Sequence, residues 1–478
     1  MSIFKACDIR GVYGRELTEE TFHHIGRAMG TLLAGKAVVV GGDVRPSTPS
    51  LKSALIGGLT GSGADVTDIG IVPTPAFYFA KDHLRAYAGA MVTASHNPPE
   101  FNGLKPILGP LPITEAELRE IRDLSRNGGF ARGSGGVREV DIIPSYISFI
   151  HEIAPKPGSA HSLKIVLDCG NGCHSGIAPA VMRDFGYDVV ELFCTPDGSF
   201  PNRHPNSAVP DHLHELMSRV RSEGADLGIA FDGDGDRVSF VDEKGCFLSG
   251  DKAIVILSGY LLADNPEQKV IYDLKCSAVV PEAIAGAGGI PIAERSGHAF
   301  IKTRMIAEDA LFGGELSGHY YHRALRGGDD GLHSALVMAS MVADSGRRLS
   351  EHADAVPEYE TTPDIRVPFP GNRDEIVERI ASRFPPERVS RLDGVKVSFD
   401  DGWALARVSV TEPAITLRFE ARNRERLSRI VEEFLSPTPE LREAVGERSG
   451  LRGSADDPPS PRLPTSLKLR RASRRTSA

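Results

Sequence analysis

The chain has 478 residues, of which 41% are hydrophobic and 25% charged, with a formal net charge of −9. That length is too great for one core and implies roughly three or four domains. The acidic balance argues against nucleic acid or an anionic membrane as the main partner, so an anionic ligand must be held by local positive groups.

The N-terminal MSIFKACDIRG has no apolar signal core, and no later run is long and apolar enough to span a bilayer, so a cytoplasmic protein is expected. Six cysteines (Cys7, Cys169, Cys173, Cys194, Cys246, Cys276) lie scattered without paired C-x-x-C spacing. Neither a zinc site nor a disulfide framework is indicated.

Along the chain, three stretches repeat one plan. KAVVVGGD leads through a helical LKSALIGGLTGSG to ADVTDIG and then AYAGAMVTASHNP. LKIVLDCGNG leads through APAVMRDFG to YDVVELF and then ADLGIAFDGDGDR, and KVIYDLKCS through VVPEAIAGAGG to IPIAERSG and then DALFGGELSGH. Each reads as strand, helix, strand and a further strand entering a polar loop, the signature of α/β units. Ligands of open α/β sheets bind beyond the strand ends, so the loops SHNP, DGDGDR and GELSGH are expected to face one cleft. From Tyr359 onward the alternation of KVSFDDGWALARVSVTEPAITLRFEA, then a helical RNRERLSRIVEEFL, predicts a smaller α+β domain with two or three strands. The Pro-, Ser- and Arg-rich end is expected to be disordered.

The loops carry the chemistry. FDGDGDR sets Asp232, Asp234 and Asp236 at alternate positions, so an extended chain places three carboxylates on one side. Their mutual repulsion calls for a cation, and hard oxygen donors select Mg²⁺ or Ca²⁺. An EF-hand is ruled out because its sixth position is Arg237 instead of glycine and the flanks read as strands. Arg237 is suited to a phosphate oxygen near the metal.

TASHNPPEFNGLK places the Ser95 hydroxyl in a strand-end turn with His96 and Lys105. No G-x-S-x-G elbow surrounds this serine, which disfavours acyl transfer. GGELSGHYYH offers Glu315, Ser317 and His319 as alternating acceptors and donors for sugar hydroxyls, although a capping glutamate and a surface histidine fit the spacing too. RVSVTEP sets Arg407, Ser409 and Thr411 on one strand face, a clamp for a phosphate dianion that ordinary strand alternation would also produce. Together, a serine hydroxyl, a cation loop, a hydroxyl-recognition loop and an anion clamp indicate phosphoryl transfer on a phosphosugar.

TASHNPPEFNGLK, DGDGDR, GELSGH and RVSVTEP, in this order, resemble the α-D-phosphohexomutases, from CDIRG to about residue 440, and most of all their bacterial phosphomannomutase/phosphoglucomutase branch. The resemblance implies an α/β fold: three similar mixed α/β domains plus a smaller C-terminal α+β domain around a central cleft. The expected spans are 1–140, 141–247, 248–357 and 358–446, followed by a basic tail over 447–478. It also implies a phosphoserine at Ser95 and Mg²⁺ held by Asp232, Asp234, Asp236 and the phosphate on Ser95. Hexose 1- and 6-phosphates of mannose or glucose would interconvert through a bound 1,6-bisphosphate. Glu315 and Ser317 would hold the sugar, and Arg407, Ser409 and Thr411 the non-reacting phosphate. Arg10, Lys105, Lys275, His298 and His319 would line the cleft for charge stabilisation or proton transfer. A phosphoglucosamine mutase and a Mg-dependent sugar-phosphate phosphatase are the alternatives, and a monomer or homodimer is expected. Three positions depart from the pattern: Cys7 replaces a tyrosine, Val410 an asparagine, and Arg203 stands where histidine is frequent.

Overall fold

The computed structural model describes residues 3–158, 162–408 and 413–448. The first sheet orders its strands Ile9–Val12, Phe101–Ile107, Ala88–Val92, Val38–Gly42, Val66–Ile71 and Val137–Glu139. Its last four strands run parallel, and Phe101–Ile107 lies antiparallel to both of its neighbours. The second sheet orders Val238–Asp242, Leu227–Phe231, Lys164–Asp168 and Asp188–Leu192. The third orders Ile290–Glu294, Lys269–Asp273, Phe312–Gly314, Tyr320–His322 and Gly328–Asp329.

These orders share one unit. A parallel trio built by crossovers carries, on one edge, a hairpin partner that returns antiparallel. The loop closing that hairpin holds Ser95 in the first sheet, the three aspartates in the second, and Glu315 to His319 in the third. The repeat read from sequence is therefore a repeat of topology, and it puts the three polar loops at equivalent strand ends. Central strands such as VVVGG (38–42) and LGIAF (227–231) are buried at every residue, as a sheet covered on both faces requires.

The sequence reading passed over the second crossover helix of each unit: Thr74–His83, His214–Glu223 and His298–Glu308. All three start without a side-chain N-cap, behind Pro73, Leu213 and Gly297, so the usual start signal is absent. By contrast, Glu115–Asn127 opens with a capping box between Thr114 and Glu117.

The fourth domain has more strands than the two or three expected. Its antiparallel sheet orders Glu360–Thr361, Ala414–Ala421, Gly402–Val408, Val395–Phe399 and Val389–Ser390, with Ile365–Pro368 also paired to Ala414–Ala421. The last helix, Pro439–Arg448, runs into the segment expected as tail, and the rest of that segment lies outside the described residues. Ser409, Val410 and Thr411 also lie outside them. No helix among the described residues is long and apolar enough to cross a membrane.

Candidate active site

The serine loop and the aspartate loop belong to different domains and touch. Ser95 is buried and sits at φ 49°, in the left-handed region a non-glycine residue seldom occupies. Its Oγ donates to Asp232 Oδ2 at 2.8 Å and lies 3.3 Å from His96 Nδ1. A Cβ on Gly233 would come 2.6 Å from the Ser95 carbonyl oxygen, so the two loops meet as closely as they do because residue 233 is glycine. Asn102 closes the serine turn by donating to Ser47 Oγ (2.8 Å) and Thr48 Oγ1 (3.1 Å).

Asp232, Asp234 and Asp236 are all buried, and one oxygen of each falls within 4.8 Å of the others. Lys105 Nζ donates to Asp234 Oδ2 at 2.8 Å and also to Asp236. Burial, reinforced by the negative charges of Asp234 and Asp236, pushes Asp232 well above the carboxylate range. Burial acts on Asp236 in the same sense, but Lys105 and His319 overcome it and hold that group well below the range. Lys105 resists burial because both aspartates favour its ammonium form, and it is held well above its usual value.

Asp234 Oδ1 is buried without a hydrogen-bond partner and Asp236 Oδ1 meets only His319 Nε2 at 3.4 Å, so the hard oxygen set fits a divalent cation.

His319 joins this cluster from the third domain. Its Nε2 lies 3.4 Å from Asp236 Oδ1 and 3.7 Å from Asp329 Oδ2, and its Nδ1 lies 2.8 Å from Ser317 Oγ and 3.4 Å from Glu315 Oε2. Burial alone would lower its pKa, but Asp236 and Glu315 raise it to about 10. Glu315 also resists burial and is lowered to about 2, chiefly by His319. His298, from the same domain, sets its ring 6.5 Å from that of His319 and tilted to it by 31°. Burial, Lys105 and His319 lower it to about 4.

Arg10 donates to Asn97 Oδ1 in the serine loop at 2.8 Å and pairs with Asp8. Arg237 Nε lies 3.8 Å from Asp232 Oδ2. Arg407 opens, with Arg10, Lys5, Arg119, Arg122 and Arg366, onto a cavity of about 730 Å³ between the first, third and fourth domains. This is the local basic patch that the chain's net negative charge demanded for an anionic ligand. Arg407 contacts Asp393 at 2.6 Å, while its Nε has no partner. Lys275 is not part of this cavity lining; its Nζ faces Asp364 at 4.0 Å, and its charge reaches Glu315. Sequence reasoning missed Thr74, Thr93 and Asp329. Thr74 and Thr93 donate to Asp234 Oδ2 at 2.7 and 3.1 Å, contacts that no spacing in the sequence announces.

Four family models match in order: phosphoglucomutase/phosphomannomutase alpha/beta/alpha domain I over residues 1–132, domain II over 144–245, domain III over 249–359 and the C-terminal domain over 365–436. The chain belongs to the α-D-phosphohexomutase family. It is 39% identical to the phosphomannomutase/phosphoglucomutase of Pseudomonas aeruginosa over 441 residues, 91% of this chain and 94% of that one. It is 36% identical to the phosphoglucomutase of Neisseria gonorrhoeae over 445 residues, 90% of this chain and 95% of that one. A crystal structure of a phosphoglucomutase/phosphomannomutase family protein from Burkholderia thailandensis superposes with a TM-score of 0.84 at 33% identity, covering 92% of this chain and 97% of that one. Phosphohexomutases catalyse phosphohexose mutase reactions, and the chain is an isomerase of this family with its four-domain α/β architecture.

Proposed function

We propose that this phosphohexomutase interconverts the 1- and 6-phosphates of mannose and glucose through a phosphoserine at Ser95 and a bound hexose 1,6-bisphosphate. The observation that carries the reading is the 2.8 Å contact between Ser95 Oγ and Asp232, where a serine from one domain is seated on the cation cluster of another. The relatives' names support both sugars.

In the first half-reaction the phosphoryl group leaves Ser95 Oγ for the free hydroxyl of the monophosphate, and that hydroxyl's proton ends on Oγ. One P–O bond breaks and one forms. The bisphosphate then turns round, and its other phosphoryl group passes to Ser95, whose proton ends on the sugar oxygen released. Such transfers ask the protein for alignment and charge neutralisation more than for covalent work.

Mg²⁺ suits the site, held by Asp232, Asp234, Asp236 and the phosphate on Ser95, where it would neutralise charge on the transferring group. Burial, with Arg237 and Arg10 beside it, keeps the His96 ring neutral, and it can still donate one N–H to a phosphoryl oxygen. Arg10, Arg237 and Lys105 spread the remaining negative charge. His319 holds its proton at neutral pH, offers it at the oxygen that phosphorus leaves and takes up the one released by the attacking hydroxyl. Glu315 and Ser317 take sugar hydroxyls, with Lys275 and His298 beside them, and Arg407 with Ser409 and Thr411 grips the phosphate that is not reacting.

Incubation with mannose 1-phosphate or glucose 1-phosphate and a trace of bisphosphate, followed by ³¹P NMR, tests the reading. Hexose 6-phosphate is the expected product. Inorganic phosphate as the main product would make the chain a phosphatase, and turnover of glucosamine 1-phosphate alone would make it a phosphoglucosamine mutase.

A further inference from the structure

The serine and the aspartates are held in place by groups outside the reacting set. In each of the first three domains an aspartate closes a central strand and accepts, through Oδ1, the backbone N–H two residues on: Arg45 to Asp43 at 3.1 Å, Gly170 to Asp168 at 2.8 Å and Lys275 to Asp273 at 3.0 Å. What the second oxygen does differs. Asp43 Oδ2 accepts from Arg45 Nε at 3.0 Å, and Asp168 Oδ2 accepts from Arg203 Nε at 2.7 Å. Asp273 Oδ2 has no partner.

Arg45 is 1% exposed, and each of its five N–H groups has an acceptor. Beyond Asp43, they donate to the carbonyls of Pro98 (2.6 Å), Phe101 (3.0 Å), Ser95 (2.8 Å) and Asn97 (2.7 Å). Four carbonyls of one turn converging on one guanidinium fix the backbone on both sides of Ser95, including its left-handed φ. Arg203 does the same for the other loop. Its Nη2 donates to the carbonyl of Phe231, directly before Asp232, at 2.7 Å, and its Nη1 to that of His204 at 3.1 Å. A Cβ on Gly170 would come 2.6 Å from that Nη2, so residue 170 leaves room for the guanidinium.

We propose that Arg45 and Arg203 are positioning residues for the transfer: Arg45 aims Ser95 Oγ, and Arg203 sets the position of the aspartate loop. The inference rests on the reading of Ser95 as the phosphoryl carrier. A planar fork can collect several carbonyls at fixed angles, whereas a lysine ammonium cannot reproduce that geometry, so Arg→Lys keeps the charge and removes the aim. Small misplacements of a reacting group are costly to rate, which makes the effect kinetic as well as structural.

The test uses the full chain carrying Arg45→Lys or Arg203→Lys, with two readouts per folded molecule. One is the rate of Ser95 phosphorylation by hexose 1,6-bisphosphate at saturating Mg²⁺, followed by intact mass. The other is Mg²⁺ binding measured by isothermal titration without substrate. Arg45→Lys should slow phosphorylation at least tenfold, with KM for hexose 1-phosphate within threefold and Mg²⁺ affinity within twofold of the parent. Arg203→Lys should weaken Mg²⁺ binding at least tenfold. If Arg45→Lys does not fold, Asp43→Asn, which loosens the same guanidinium, is read the same way. Phosphorylation within twofold of the parent in the Arg45 or Asp43 variant overturns the proposal, as does equal loss of both readouts in both arginine variants. A parent chain whose Ser95 never takes up phosphate overturns the carrier reading instead.

Discussion

The half of the site proposed to carry the chemistry and the half proposed to recognise the ligand are built differently. Around Ser95 and the three aspartates, polar atoms are buried and densely bonded, and the Asp234 oxygen left over suits a cation. In the third and fourth domains His319 is bonded just as densely, but Lys275 and Arg407 are held more loosely. Lys275 stands 4.0 Å from Asp364, the Arg407 Nε has no partner, and Asp273 keeps an unpaired oxygen where Asp43 and Asp168 each hold an arginine. On the proposed reading the reacting groups are set before the substrate arrives, whereas the recognition groups keep capacity for a bisphosphate that turns round between the two transfers. A bisphosphate that presents either end to one serine needs such a division.

The comparison can be broken most severely at the nucleophile. Ser95→Ala should lower steady-state turnover by about 10⁴-fold or more while leaving the thermal midpoint within a few degrees, as measured by a coupled assay and calorimetry. On the cation side, Asp234→Asn should cost about 10²–10³-fold in kcat, and chelation of the parent chain should abolish activity that added Mg²⁺ restores. The recognition half should respond in KM. Losing the Arg407 side chain removes charge-assisted hydrogen bonds of about 1.5–3 kcal/mol, so Arg407→Ala should raise KM roughly ten- to hundredfold with kcat changed far less. A kcat loss as large as that at Asp234 would erase the distinction between the halves.

The smallest effect concerns pH. Because His298 is lowered to about 4, the folded chain stays unprotonated there while the unfolded chain takes up a proton below about 6.5. The stability contributed by this site is complete above 6.5 and is lost as pH falls toward 4. Denaturant midpoints between pH 7 and 4 should therefore fall less steeply in His298→Asn than in the parent.

The loops were legible in the sequence because their chemistry is local: alternate carboxylates in DGDGDR and a crowd of donors in TASHNPPEFNGLK declare themselves within a few residues. The repeated strand–helix–strand plan was legible for the same reason, through the apolar runs that precede each loop. Arg45 was not, since a lone arginine in a Pro- and Ser-containing turn looks solvated until the fold shows five acceptors around it. Arg203, read as a departure from the family pattern, proves to be a buried partner of Asp168. The convergence of His319 on Asp236 joins residues 83 positions apart. Burial and long-range pairing belong to the folded chain, and periodicity cannot register them.

A single-turnover quench experiment tests the central claim most directly. Enzyme carrying ³²P on Ser95 is mixed with excess unlabelled hexose 1-phosphate and stopped within milliseconds. Label should pass first into hexose 1,6-bisphosphate and then into hexose 6-phosphate. Label that stays on the protein during turnover, or leaves it as inorganic phosphate, would contradict the account.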